Sequence, residues 1–212
     1  MKRAISRWIT KATSVFVDAL ALYLSQPVRH HSSSSANPLA LAALLLPGDV
    51  LLTDGNTRMA ALVKRITRST WSHVSMYVGP LEEGPDPRCI VEADVSAGVR
   101  AVPLTEFKGQ RIRVLRPSGL GDAERRRLAD WVVSRIGNQY DLAHAWMLAR
   151  RFLRLPLPSF FPSAQDATRF ICSSLLAQAF VFVGYQIAPD HSYVTPSDFD
   201  GASVFEVVDR AS

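Results

Sequence analysis

The sequence predicts a single α+β domain in which a small antiparallel sheet packs against helices. Three observations carry this expectation. Apolar and polar residues alternate through 74–78 and again through 89–93, on either side of a turn rich in glycine, proline and acids, which is the pattern of an antiparallel hairpin. Two segments, 122–136 and 170–182, are helical in character, the first with Leu128, Trp131, Val132 and Ile136 at helical spacing and the second apolar nearly throughout. No internal repeat divides the 212 residues, whose 48% apolar and 20% charged content suits one ordinary core with a small appendage.

The chain opens with an amphipathic helix over residues 1–25. Ile5, Trp8, Ile9, Ala12, Phe16, Ala19, Leu20, Tyr23 and Leu24 recur at helical spacing behind Lys2, Arg3, Arg7 and Lys11. Its most apolar stretch is interrupted by Asp18 and falls short of the roughly 20 apolar residues a bilayer span needs. Three readings stay open: a helix packed on its own domain, a helix lying in an anionic membrane interface, and a cleaved signal peptide.

Residues 26–38 carry two prolines, the pair His30 and His31, and four consecutive serines, a composition that buries little and reads as a linker. The histidine pair is read as solvated and not as a metal site. The main folded domain is therefore expected over 39–212.

Within it, the apolar run 39–46 ends at Pro47, Gly48 and Asp49, and a strand follows at 50–52. Met59, Leu62, Val63 and Ile66 give 57–67 helical spacing. The hairpin strands 74–78 and 89–93 come next, extended by strands at 98–102 and 111–115. A helix at 122–136, capped by Asp122, precedes a further helical stretch at 140–153. The buried helix 170–182 and a closing strand at 204–208 complete the domain.

The net charge of +5 and pI of about 9.6 come from Lys and Arg scattered over several segments, without the interleaved aromatics of a nucleic-acid surface. The mild basicity favours contact with anionic surfaces, lipid as plausibly as nucleic acid on charge alone; nucleic-acid binding, which would show strongly salt-dependent affinity, is a minor alternative and no nucleic-acid partner is expected. Cys89 and Cys172 are the chain's two cysteines, and neither belongs to a pattern with metal-ligand spacing. Free thiols in a reducing compartment are expected, hence a cytoplasmic location with peripheral membrane contact through residues 1–25; an exported location stays open. No cofactor is implied.

Three residue types in this chain make a nucleophilic site. Cys172 starts its helix, where unpaired backbone N–H groups and the helix dipole favour a negative sulfur. The alternative for such a cysteine is a small core residue. His73 precedes an apolar strand and would present its ring at a sheet end, and a thiol nucleophile needs such a base. Glu92 sits in the neighbouring strand between Val91 and Ala93, and strand parity puts it on the face opposite the apolar residues, with His73. Asp94 shares that parity and competes for the role of orienting the base.

In order along the chain stand Gly48-Asp49-Val50-Leu51, Ser72-His73-Val74, Val91-Glu92-Ala93, Tyr140-Asp141 and Cys172-Ser173-Ser174. The series resembles the circularly permuted NlpC/P60 papain-like enzymes of the YiiX/YebB type, in which the histidine and its polar partner come from the sheet and precede the cysteine. The resemblance covers about 47–208 and implies a circularly permuted papain-like fold, with Cys172 as nucleophile, His73 as base and then acid, and Glu92 holding the imidazole. It implies for Tyr140 a place at the oxyanion or in the pocket. The segment 194–199 also looks like that family's closing part.

The N-terminal helix and the apolar, proline-bounded insert 151–162 depart from the family pattern. The insert reads as a lid or pocket wall, or as a loop folded on the core. The expected function is a cysteine hydrolase or acyltransferase acting on an amide, ester or thioester, with an acylated or lipid substrate at a membrane surface. The alternatives are a cell-wall peptide amidase or endopeptidase, and a non-catalytic membrane-surface module.

Overall fold

The computed structural model describes residues 22–27, 37–140, 169–188 and 194–210. The expected N-terminal helix before residue 22, the serine run of the linker, the stretch 141–153 and the insert 151–162 lie outside the described residues.

The elements run α1 (Pro38–Leu44), β1 (Val50–Asp54), α2 (Arg58–Thr67), β2 (His73–Tyr77), β3 (Arg88–Asp94), β4 (Gly98–Pro103), a 3-10 turn (Leu104–Phe107) and β5 (Arg111–Pro117). They continue with α3 (Asp122–Val133), β6 (Gln139–Tyr140), β7 (Arg169–Phe170), α4 (Cys172–Phe182), α5 (Pro196–Gly201) and β8 (Phe205–Arg210). Six strands form one antiparallel sheet in the order β4-β3-β2-β1-β5-β8, and β6 pairs β7 in a separate parallel ribbon.

Side chains alternate across a strand, so one sheet feeds two apolar layers. Val50, Leu52, Val74, Met76, Val91 and Ala93 face Leu128 and Val132 of α3, Leu175, Leu176 and Phe180 of α4, and Phe199 of α5. Leu51, Ile90, Val102, Ile112 and Val114 face Leu41 and Leu45 at α1, with Leu104 and Phe107 of the 3-10 turn. Burial on both faces explains why β1 begins Val-Leu-Leu with no polar alternate. Each fully buried aliphatic of this kind contributes roughly 1.5–3 kcal/mol.

Several termini differ from the sequence expectation. α3 is N-capped at Gly121, whose N–H donates to Glu124 Oε2 at 3.0 Å, so Asp122 is the first helical residue and not the cap. The helix also ends at Val133, before a turn that passes through Gly137 at positive φ. Tyr140 belongs to a strand by its backbone, and α4 starts at Cys172 because Phe170 is held in β7. α5 was not expected as a helix. Thr195 caps it, with its N–H and Oγ1 both donating to Asp198 Oδ2 at 2.7 Å, and Pro196 supplies a preset φ at the first position.

Residues 26 and 27 of the expected linker are pinned to the domain. Pro27 bridges Thr57, Arg58 N–H donates to Gln26 O at 3.0 Å, and the Arg58 guanidinium donates to Tyr23 OH while lying 4.2 Å from that ring's centroid. The chain therefore arrives beside the start of α2. Among the described residues no helix is long and apolar enough to cross a membrane.

Candidate active site

His73 begins β2 and pairs Thr53 of β1, at the edge of the sheet's ladder. The β2–β3 register sets Met76 against Val91, which puts Ser75 opposite Glu92 and leaves His73 and Glu92 as diagonal neighbours on one face. His73 Nε2 lies 2.7 Å from Glu92 Oε2. The other oxygen of Glu92 accepts from Arg100 Nε at 3.0 Å and Nη2 at 2.7 Å, Arg100 being the residue directly opposite in β4. Arg100 Nη2 donates as well to Glu106 Oε2 at 3.1 Å, from the 3-10 turn.

Cys172 enters from another layer. It is the first residue of α4, follows Ile171 at the N-cap, and lines the same cleft as His73, with its thiol near enough to help raise the pKa of the ring. With Nε2 committed to Glu92, Nδ1 is the ring nitrogen that remains to take the thiol proton.

The serines after it have other work. Ser174 closes the helix start, accepting from Ile171 N–H at 3.1 Å, and Ser173 Oγ donates to Val194 O at 2.6 Å, tying the helix to the segment that leads into α5. Both are buried.

Burial alone would lower the His73 pKa, but the Glu92 carboxylate, together with the neighbouring Cys172, outweighs it and raises the value well above 6.5. For Glu92 burial pushes the other way, and His73 and Arg100 together hold it below its ordinary 4.5. The pair therefore favours an imidazolium facing a carboxylate.

Cys172, His73 and Glu92 border a cleft of about 190 Å³. Met59, Ala60 and Val63 of α2 give it an apolar wall, while Arg100, Glu106 and Gln110 line another side. Ser25 from the N-terminal segment reaches the same cleft.

Asp94 also lines the cleft, but its carboxylate serves its own turn, accepting from Ser96 N–H at 2.9 Å, Ser96 Oγ at 2.6 Å and Ala97 N–H at 2.8 Å. Of the two competing carboxylates, Glu92 is the one joined to His73. Tyr140 pairs by backbone with Phe170 in the β6–β7 ribbon, two residues before Cys172; its side chain is outside the described residues. Cys89 lies in the opposite core layer and is free, as is Cys172. Among the described residues no group of three or more His, Cys, Asp or Glu could hold a metal ion.

Arg100 is the functional residue that sequence reasoning missed. Its signal was present: the short turn between strands 89–93 and 98–102 fixes a register, and that register places a basic residue opposite the buried Glu92.

A family model described as permuted papain-like amidase enzyme, YaeF/YiiX, C92 family, matches residues 45–152. That stretch contains His73 and Glu92 and ends before Cys172. No curated protein matches the chain. Among solved structures, one described as the crystal structure of metalloprotein yiiX from Escherichia coli O157:H7 is similar with a TM-score of 0.58 and 16% identity, over 78% of this chain and 97% of that one. At such identity the likeness is one of fold.

Proposed function

Since the chain belongs to the permuted papain-like amidase family of the YaeF/YiiX type and is thereby a cysteine hydrolase, we propose that Cys172 is its nucleophile, His73 its base and Glu92 the group that holds the imidazole. The observation that carries the assignment is the meeting of Cys172, at the start of α4, with His73 and Glu92 in one cleft, the imidazole being joined to Glu92 Oε2 at 2.7 Å.

In this reading Nδ1 of His73 takes the proton from Sγ, and the thiolate attacks the carbonyl carbon of an amide or ester. The carbonyl oxygen becomes an oxyanion, stabilised by backbone N–H groups of the first turn of α4, which helix geometry leaves without partners. The imidazolium returns its proton to the leaving amine or alcohol as the carbon–heteroatom bond breaks, giving a thioester on Cys172. Water, deprotonated by His73, then attacks the thioester and releases the acid and the thiol; an alcohol or amine taking water's place makes the reaction an acyl transfer. We assign Tyr140 to the oxyanion or pocket side, because its strand runs beside the one that delivers Cys172.

The substrate proposed is an acylated or lipid amide or ester met at a membrane surface. Support comes from the apolar α2 wall of the cleft and from the basic, amphipathic pattern of residues 1–25, whose last residue, Ser25, reaches that cleft. The family description speaks for an amide as the bond cleaved.

The test is hydrolysis of short acyl amides and esters by purified variants. Cys172→Ala and His73→Ala are expected to abolish turnover while Cys89→Ala retains it, and intact-mass spectrometry should catch an acyl adduct on the wild type that Cys172→Ala lacks. Equal turnover in all of them removes the assignment.

A further inference from the structure

We propose that Arg100 is a positioning residue of the catalytic site, setting the proton affinity of His73 by neutralising one oxygen of Glu92 while the imidazole uses the other. The inference rests on the reading of His73 and Glu92 given above and adds a fourth member to it.

Glu92 is 7% exposed and has all its strong contacts with two cations. A buried carboxylate that faced His73 alone would hold the imidazolium tightly, and an imidazolium held too tightly is a poor acid for the leaving group and a poor base for water. The guanidinium counters this twice. It draws charge from Glu92, and its own positive charge opposes that of the ring. With a thiolate at Cys172, the set Cys172, His73, Glu92 and Arg100 carries two negative and two positive charges and is balanced as a unit. Removing Arg100 leaves it one charge negative, so every proton in it is held more firmly.

Geometry makes the arrangement stiff. Nε and Nη2 of Arg100 both donate to one oxygen of Glu92, and Glu106 Oε2 accepts from Nη2, so the guanidinium is held between a carboxylate of β3 and one of the 3-10 turn. Other charged groups near His73 are accounted for. Cys172 lines the cleft beside the ring, Glu106 is turned to Arg100, and Asp94 is engaged by Ser96 and Ala97.

The experiment compares wild type, R100Q and R100K by two readouts: the imidazole titration of His73 followed by NMR without substrate, and the pH profile of kcat/KM. R100Q is expected to move the His73 midpoint upward by about half a pH unit or more, and both limbs of the profile in the same direction. R100K keeps the charge and is expected to leave the midpoints near their wild-type places while lowering kcat, since a point charge lacks the fork. A His73 midpoint unchanged in R100Q, or moved as far by R100K as by R100Q, overturns the proposal. The titration needs no turnover, so an inactive wild type would count against the nucleophile assignment and leave the test of Arg100 standing.

Discussion

Glu92 Oε2 is 2.7 Å from His73 Nε2, so a buried carboxylate fixes which ring nitrogen is left for Cys172. The pH behaviour of the site follows from this pair. His73 is raised above 6.5, so its contribution to stability is complete below 6.5 and is lost as pH rises through its folded value. Glu92 is lowered below 4.5, so its contribution is complete above 4.5 and is lost as pH falls through its folded value. Both are whole between 4.5 and 6.5. The melting-temperature difference between wild type and H73Q should be largest there and shrink on the alkaline side; a difference that grows with pH would contradict the sign.

Replacement of Glu92 by glutamine tests whether two acceptors are required. His73 and Arg100 both donate, one to each oxygen, and an amide can offer only one acceptor. E92Q therefore leaves a buried donor facing an NH2 group, a loss of about 1–3 kcal/mol in stability and roughly 10- to 100-fold in kcat. Urea unfolding and steady-state kinetics measure the two. A fully active E92Q would mean that the carboxylate's charge and second oxygen are dispensable.

The two thiols should differ in reactivity. Cys172 borders the cleft, whereas Cys89 is 4% exposed in the α1-side core and burial pushes its thiol pKa up. Timed iodoacetamide labelling near neutral pH, read by peptide mass spectrometry, should modify Cys172 at least about tenfold faster. Parity between them would favour the non-catalytic module among the alternatives.

What the sequence made legible followed from local pattern. Alternation found the strands of the hairpin and the parity that places His73 with Glu92, and the apolar start of α4 located Cys172. Less legible was anything that depends on two segments meeting. Arg100 has its meaning only through the β3–β4 register. Tyr140 was expected in a helix because 140–153 is apolar enough for one, yet its backbone pairs with Phe170, a partner remote in sequence. Thr195, Pro196 and Asp198 are a complete helix start, and the local signal for α5 was there to be read.

The Gly48-Asp49 motif illustrates a sequence signal that belongs to the fold and not to the chemistry. Asp49 is fully buried, accepts from Arg116 Nε at 2.9 Å and Nη2 at 2.6 Å, and accepts from Leu46 N–H at 2.9 Å. It ties the entry of β1 to β5, away from Cys172. Asp49→Ala leaves Arg116 without its carboxylate, with only Leu44 O among the described residues to accept from it, at the cost of about 3 kcal/mol. In the protein that remains folded, kcat/KM should be nearly unchanged, as measured after correcting for the folded fraction. A specific loss of kcat with full stability would place Asp49 in the reaction after all.

Gly98 offers the sharpest link between backbone geometry and the nucleophile. It opens β4 at φ +73, and a Cβ there would stand 2.3 Å from Asn138 O, one residue before β6. The same strand is laced to that segment by Val99 N–H donating to Asn138 O and Gly137 N–H donating to Val99 O, each at 2.8 Å. Any side chain at 98 must therefore push the 137–140 segment away from the sheet, and β6 carries its partner β7, which leads directly into Cys172. G98A should be destabilised by at least about 1–3 kcal/mol from the left-handed backbone and the clash together. It should also lose activity beyond that explained by unfolding, because the sulfur moves relative to a His73 ring still fixed by Glu92. Kinetics and chemical denaturation on the same preparation decide it: activity that falls only in step with the folded fraction would mean that α4 holds Cys172 in place without help from the ribbon.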